Sequence, residues 1–341
     1  MEPLELVSFR TAERAPWLAP AREQVALALA AGRLPHALLL QGQPGLGKAA
    51  LADWIARLAL CEAPLAGGPC GVCTSCRLHA AGNHPDLRRV GVAEDKKQVA
   101  VEDIRELIAS LSLKSYRGRR KVAIVDPADA MNASGANALL KTLEEPSGSA
   151  LLLLTVARPE RLPATIASRC QRLKLLAPER AVALAWLAEV DPATDWAGPL
   201  ALAAGAPLGA LQLAAAGARD LEREMAELPG LLARPDADLV GLAERCQQRL
   251  PAERLRWIEN WVTDRIRRGL LSPAPDHSPA TPGLPAGART RHIQALYVLL
   301  DEIRAGQASL KGSANVALLF ERLFATLSRE LETLRAGRGR G

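Results

Sequence analysis

Short apolar runs alternate with helically spaced stretches through the first half of the chain, and then the alternation stops. Ala37-Leu38-Leu39-Leu40 is followed by a glycine-rich turn and a helical stretch from Ala49 to Leu60. Lys121 to Asp126 and Ala150 to Thr155 are two more apolar runs, separated by a helical stretch over Ser134 to Leu143 that Pro146 closes. Strands this apolar, punctuated by helices, predict a parallel sheet covered on both faces. Past about residue 173 no strand pattern remains. Segments 179–190, 194–204, 206–215, 219–233, 237–248, 251–270, 289–305 and 313–335 all carry helical spacing, with breaks at Pro, Gly or Asp. The second half is therefore expected to be all helical. Its one interruption, Ser272 to Ala286, holds five prolines and predicts an extended loop. The tail, residues 336–341, is expected to be disordered, and no internal repeat of fixed period is present.

Composition narrows this picture. A chain of 341 residues predicts two or three domains, and 49% hydrophobic with 23% charged residues excludes a disordered protein. No stretch approaches the roughly 20 uninterrupted apolar residues of a membrane span. The opening MEPLELVSFR has acids where a signal peptide would be basic and then apolar, so a cytoplasmic location is expected. The net charge of +6 is spread along the chain without a dense basic block; it permits a polyanionic partner without demanding one. In a reducing compartment, six cysteines point to metal binding before disulfides.

Three features carry candidate chemistry. The first is Gly42-Gln43-Pro44-Gly45-Leu46-Gly47-Lys48-Ala49, which fits the phosphate loop G-x-x-x-x-G-K-[ST] everywhere but the last position. Gly42, Gly45 and Gly47 let backbone amides curl around phosphate oxygens, the next helix points its N-terminus at them, and Lys48 adds a point charge. Ala49 has no hydroxyl to hold Mg²⁺, and Asp126 is followed by Pro127 where an ATPase would carry the glutamate that activates water. Asp129 lies too far along to substitute, and Asp126 alone could position a metal or cap the next turn. Hydrolysis at this site is not expected, and nucleotide occupancy stays open.

The second feature is Cys61, Cys70, Cys73 and Cys76, spaced C-x₈-C-x₂-C-x₂-C in a Gly- and Pro-rich segment. The spacing predicts closed tetrahedral Zn²⁺ coordination, hence a structural ion. An iron–sulfur cluster and free thiols are the rivals. His79 and His84 are nearby spare ligands, though His84, before Pro85, suits a turn better; Cys246 suits a helix core. The third feature is Ser168-Arg169-Cys170. On residues alone Arg169 could neutralise the end of its short helix or pair with a carboxylate.

These features, with the run Asn137-Ala138-Leu139-Leu140-Lys141-Thr142-Leu143-Glu144-Glu145-Pro146, resemble the bacterial clamp-loader family of AAA+ proteins. The similarity runs from about Pro16-Trp17-Leu18 to near the C-terminus and is specific through about residue 211. The resemblance implies an α/β P-loop AAA+ domain over 1–173 with a zinc module inserted at 61–76. A three-helix lid over 174–217 and a C-terminal helical collar over 218–341 would follow. The family's motors carry an intact phosphate loop, an Asp-Glu pair, a polar sensor and a lid arginine. This chain has Ala49, Pro127, Val156-Ala157 and Leu208 at those places. What it keeps is Arg169, which in the family reaches across a subunit boundary to the neighbour's γ-phosphate.

The resemblance therefore implies a non-hydrolysing stator in DNA replication, a component of DNA polymerase III holoenzyme, itself a nucleotidyltransferase. Implied partners are the tau/gamma motor subunits, the delta subunit, and, through the complex, the sliding clamp and primer–template DNA. Two other functions fit parts of the sequence: a motor ATPase that tolerates Ala49, motivated by Lys48 and Asp126, and a zinc loop that binds single-stranded DNA. The lack of stacking aromatics between Cys61 and Cys76 argues against the latter.

Overall fold

The computed structural model describes residues 15–93, 96, 98–117, 119–146, 148–216, 221–271, 286–310 and 315–338. The expected loop at 272–286 lies outside them but for Ala286, which opens a helix; the last helix runs to Arg338, so the expected disorder of 336–341 is corrected for its first three residues. By internal contacts the chain divides into two units, Met1–Gln212 and Leu213–Gly341.

The first unit is built on five parallel strands: β1 Ala37–Gln41, β2 Leu87–Gly91, β3 Lys121–Asp126, β4 Ala150–Val156 and β5 Gln171–Lys174. Their order is β2-β3-β4-β1-β5, with Ala37 level with Leu152 and Leu38 level with Gln171. Position in this order explains which strands the apolar pattern revealed. Every residue of the inner strands β1 and β4 is buried, as a strand covered on both faces requires. The edge strands β2 and β5 each bury one residue and expose Arg88, Arg89, Gln171, Arg172 and Lys174. Charge on an edge discourages pairing with another chain, and it also erases the apolar signature.

Helices cover both faces. On one side, α1 (Ala19–Ala30) packs on α2 (Lys48–Leu60), and α2 buries Leu51, Ile55 and Leu58 against the sheet. On the other lie α4 (Val101–Ser112) and α5 (Ala133–Glu144), which bring Ile104, Leu107, Leu111, Leu139 and Leu143 onto Leu39, Val125 and Leu152. The signal for α4 was present and unread: Ile104, Leu107 and Leu111 form one stripe, and Glu102 and Asp103 sit in the first turn where the helix dipole favours acids. Asn132 caps α5 by accepting the Gly135 amide at 2.8 Å. The seven-residue α3 (Thr74–Ala80) follows the cysteine loop. Beyond β4 come the single turn α6 (Ala164–Ala167), then α7 (Arg180–Val190), α8 (Ala197–Leu202) and α9 (Pro207–Ala215).

One buried carboxylate holds the lower part of this unit together. Asp86, 2% exposed at the start of β2, accepts hydrogen bonds from the Tyr116 amide (2.8 Å), the Arg117 amide (3.0 Å) and the Ser115 hydroxyl (3.0 Å), and pairs with Lys121 (3.4 Å). Burial alone would raise its pKa, but these four partners hold it below the ordinary aspartate value of 3.8. A depressed folded-state pKa contributes stability that is present above the unfolded value and lost as pH falls through the folded one. The protein should therefore lose stability on acidification below about pH 4, and Asp86→Ala should cost about 2–4 kcal/mol at neutral pH while flattening that dependence. Denaturant melts of both proteins across pH check this.

The second unit is all helical: α10 (Leu221–Leu232), α11 (Leu239–Gln248), α12 (Pro251–Leu271), α13 (Ala286–Ser309) and α14 (Val316–Arg338). Its core gathers Leu255, Ile258 and Val262 of α12, Leu299 and Ile303 of α13, and Phe320, Leu323 and Phe324 of α14. Arg254 is buried here yet satisfied, bonded to Glu224 at 2.6 Å and to the Arg249 carbonyl at 2.9 Å. Cys246 is buried on α11, and burial raises its pKa, so it is an inert core thiol.

Candidate functional site

The phosphate loop leaves β1 at Gly42 and enters α2 at Lys48, between a buried strand and a helix N-terminus. Gly45 and Gly47 have φ of 78° and 92°, which glycine adopts without strain. The loop is closely knit to its surroundings. The Gly45 carbonyl accepts the Leu208 and Gly209 amides of α9 at 3.1 and 3.3 Å, and a Cβ on Gly45 would lie 2.5 Å from Gly209. Trp17 donates its indole N–H to the Leu46 carbonyl at 2.9 Å, and Gln43 donates to the Ala204 carbonyl at 2.8 Å.

Lys48 is folded inward. Its ammonium donates to the loop's own carbonyls at Gly42 (2.7 Å) and Gln43 (2.9 Å). Burial lowers its pKa, opposed by the charges of Asp126 and Asp129. The cavity beside it measures about 210 Å³ and is lined by Gly45, Gly47, Lys48, Ala49, Asp126 and Leu208. Ligand pockets usually span about 300–1,000 Å³, so this one is small for a nucleoside triphosphate.

The acidic groups next to the loop are engaged. The Thr155 hydroxyl donates to Asp126 Oδ1. Asp129, 7% exposed, accepts from the Ala157 amide at 3.2 Å and the Arg158 guanidinium at 3.4 Å. Asp129 thus ties the turn after β3 to the end of β4, with one hydrogen bond on each of its oxygens. The partner Thr155 for Asp126 went unread in the sequence, because a threonine ending an apolar strand carries no local mark.

Arg169 follows α6 and stands partly exposed. Its guanidinium donates to the Thr165 carbonyl at 3.0 Å and pairs with Glu144 Oε1 at 2.6 Å. Both bland expectations for this arginine, helix-end neutralisation and a carboxylate partner, are present in the single chain. The side chains of Arg169 and Glu144 are 37% and 48% exposed, so their bond competes with water and is weak. Cys170 beside it is buried, its pKa pushed up to about 11, and is no nucleophile.

The four cysteines come together as the spacing predicts. Their Sγ atoms all lie within 4.8 Å of one another, with Cys61 to Cys73 and Cys70 to Cys76 each at 4.0 Å. Ligands about 2.3 Å from a tetrahedral zinc would be about 3.8 Å apart, so the set could hold such an ion with little movement. The amide of Cys70 donates to Cys61 Sγ (3.2 Å), that of Cys73 to Cys70 Sγ (3.4 Å) and that of Cys76 to Cys73 Sγ (3.4 Å), an arrangement that favours thiolates. The Cys73 and Val72 amides bring the Cys70 thiol down to about 6, whereas burial pushes Cys61 and Cys76 up.

Neither spare histidine joins the cluster. His79 Nε2 lies 3.3 Å from Asp53, which also pairs with Arg89, and His84 Nδ1 accepts the Asp86 amide at 3.1 Å. The loop is braced from outside by Glu62, whose Oε1 takes the Ser75 hydroxyl at 3.2 Å and Arg117 Nη2 at 2.7 Å.

A parallel sheet of order β2-β3-β4-β1-β5 with a phosphate loop after β1 and an acidic residue ending β3 defines the class as an AAA+ P-loop fold. Among the described residues no helix is long and apolar enough to cross a membrane. The family model described as DNA polymerase III, delta subunit, matches residues 19–179. The delta' subunit of DNA polymerase III from Escherichia coli is 35% identical over 255 residues, 74% of this chain and 76% of that protein. The delta' subunit from Pseudomonas aeruginosa is 44% identical over 196 residues, 56% of this chain and 60% of that protein. The tau subunit from Salmonella typhimurium is 40% identical over 149 residues, 44% of this chain and 23% of that protein. The chain belongs to the delta-prime family of DNA polymerase III clamp-loader subunits, related to tau and gamma.

Proposed function

We propose that this chain is the non-hydrolysing stator of a clamp loader, presenting Arg169 to the ATP site of a neighbouring motor subunit. The observation that carries this reading is the state of its own phosphate loop. Lys48 is bonded to loop carbonyls, Ala49 offers no magnesium ligand, Asp126 is hydrogen-bonded by Thr155, and Leu208 packs over a cavity of about 210 Å³. A water-activating group is missing next to Asp126, because Pro127 occupies that place and Asp129 is committed elsewhere.

Arg169 has the opposite character: planar, charged, accessible, and held by one carbonyl and a weak exposed pair that it can exchange for a phosphate. Residues 174–217 then act as a lid domain and 218–341 as a collar joining this chain to tau/gamma and delta subunits. Sliding clamp and primer–template DNA are engaged through the complex, in the cytoplasm. Zn²⁺ held by Cys61, Cys70, Cys73 and Cys76 braces the first domain and supplies no chemistry, since four thiolates fill its shell.

Purified alone with magnesium and ATP, the chain should show no turnover above background, while its assembly with tau or gamma and delta hydrolyses ATP. Turnover by the isolated chain that scales with its concentration and vanishes in Lys48→Ala would overturn the stator reading in favour of a motor.

A further inference from the structure

We propose that a trough at the N-terminal edge of the sheet, opposite the phosphate loop, docks an acidic amphipathic segment of a partner protein. Here the last turns of α1 and α2, the cysteine loop and the start of β3 surround a cavity of about 700 Å³. A second cavity of about 390 Å³ adjoins it, Arg119 and Ser149 lining both, and together they make up the groove.

The groove has an apolar side. Leu58 and Ala59 are buried in its wall, while Leu27, Leu65 and Leu113 stand at its edges 65%, 64% and 66% exposed. Leu27 and Leu65 edge the larger cavity and Leu113 the smaller, so exposed aliphatic side chains rim the groove along its length.

The groove also has uncompensated charge. Lys114, Arg119, Arg120 and Lys121 line it, and none of its lining residues is acidic. Lys121 is paired with Asp86; among the described residues Lys114, Arg119 and Arg120 have no carboxylate partner. Arg120 is half-buried, so its guanidinium has lost water without gaining an anion, and a bound carboxylate would relieve that cost.

Hydrogen bonds anchor the residues beside the arginines. Asp86 binds the amides of Tyr116 and Arg117, Glu62 binds the Arg117 side chain, and Ser149 Oγ donates to the Arg119 carbonyl at 2.7 Å. Preorganised charge of this kind loses little conformational entropy on binding. An aliphatic wall beside paired guanidiniums suits leucine-like side chains on one face and carboxylates on the other. A nucleic acid would offer the charge, but no lining residue is aromatic, so its bases would find nothing to stack on.

The probe is a fluorescein-labelled synthetic helical peptide of Leu and Glu with leucines at i, i+3, i+4 and i+7, titrated with the full-length chain. The expected result is saturable binding that weakens as salt rises. It should fall at least about tenfold in the double variant Arg119→Glu, Arg120→Glu, and comparably in Leu65→Asp. Arg119 and Leu65 are exposed and Arg120 is half-buried, and an unchanged melting temperature shows that the variants are folded. Three results would each overturn the proposal. One is no binding at roughly 100 µM protein. The others are binding indifferent to both variants, and equal binding of an all-Glu peptide or an oligothymidylate, which would mean a bare polyanion site.

Discussion

Replacing Arg169 with alanine is expected to lower ATP turnover at the neighbouring motor site by about 10³-fold or more in a reconstituted, DNA- and clamp-stimulated assembly, because an arginine reaching a transferring phosphoryl group contributes about 10³–10⁵ in rate. The size of the effect separates two roles for the same side chain. Within the single chain Arg169 is bonded to Glu144 and the Thr165 carbonyl, both at the surface. A residue that served only those contacts would contribute at most about 1 kcal/mol to folding and nothing to turnover. Arg169→Ala should accordingly leave the melting temperature and the assembly intact while turnover collapses. Arg169→Lys should rescue little, since an ammonium cannot reproduce the bidentate planar fork. Glu144→Gln, which frees the guanidinium, should leave turnover at or above the parent level. Unchanged turnover in Arg169→Ala would remove the finger from this chain.

The contrast between Arg169 and Lys48 shows what was legible in the sequence. A missing hydroxyl or a missing glutamate is a fact about residue identity, so Ala49 and Pro127 could be read directly. The partners that commit the remaining groups lie far along the chain. Thr155 reaches Asp126 from 29 residues away, the amide of Ala157 reaches Asp129 from 28, and Glu62 meets Arg117 from 55. No periodicity reports such pairs. The inner strands β1, β3 and β4 were legible because double-sided burial makes their central residues a continuous apolar run. The edges β2 and β5 were not, since Arg88, Arg89 and Arg172 face outward and break the pattern. The helices of the second half were legible because Pro, Gly or polar residues punctuate their boundaries; Asp238, for one, caps α11 through the Gly241 amide at 2.9 Å. The trough along Arg119 and Leu65 was invisible for the opposite reason: it exists only where four separate segments meet.

Removing the metal should have the largest structural effect, and burial explains why. Of residues 61–76 only Cys61, Gly68, Ser75 and Cys76 are buried, while Leu65 and Val72 point outward at 64% and 73% exposure. A segment this poor in buried apolar surface cannot offset the entropy of ordering sixteen residues by packing alone. Among its contacts with the rest of the unit are Gly68 against the Trp54 ring, where a Cβ would come within 3.1 Å, and Glu62 on Arg117. An ion bound by the four thiolates would supply what packing does not, since structural zinc contributes about 10–16 kcal/mol of apparent binding free energy in small zinc peptides near pH 7. One zinc per chain is therefore expected by elemental analysis of freshly purified protein. Cys73→Ser, or prolonged chelation, should release it and open the segment to proteolysis and rapid amide exchange. The loss should spread to the Asp86 network through Arg117 and lower the melting temperature of the first unit. Cys170→Ser and Cys246→Ser, which change thiols outside the cluster, should keep the metal. Metal-free protein with an already protected segment 61–76 would show that the thiols hold the loop by hydrogen bonds alone.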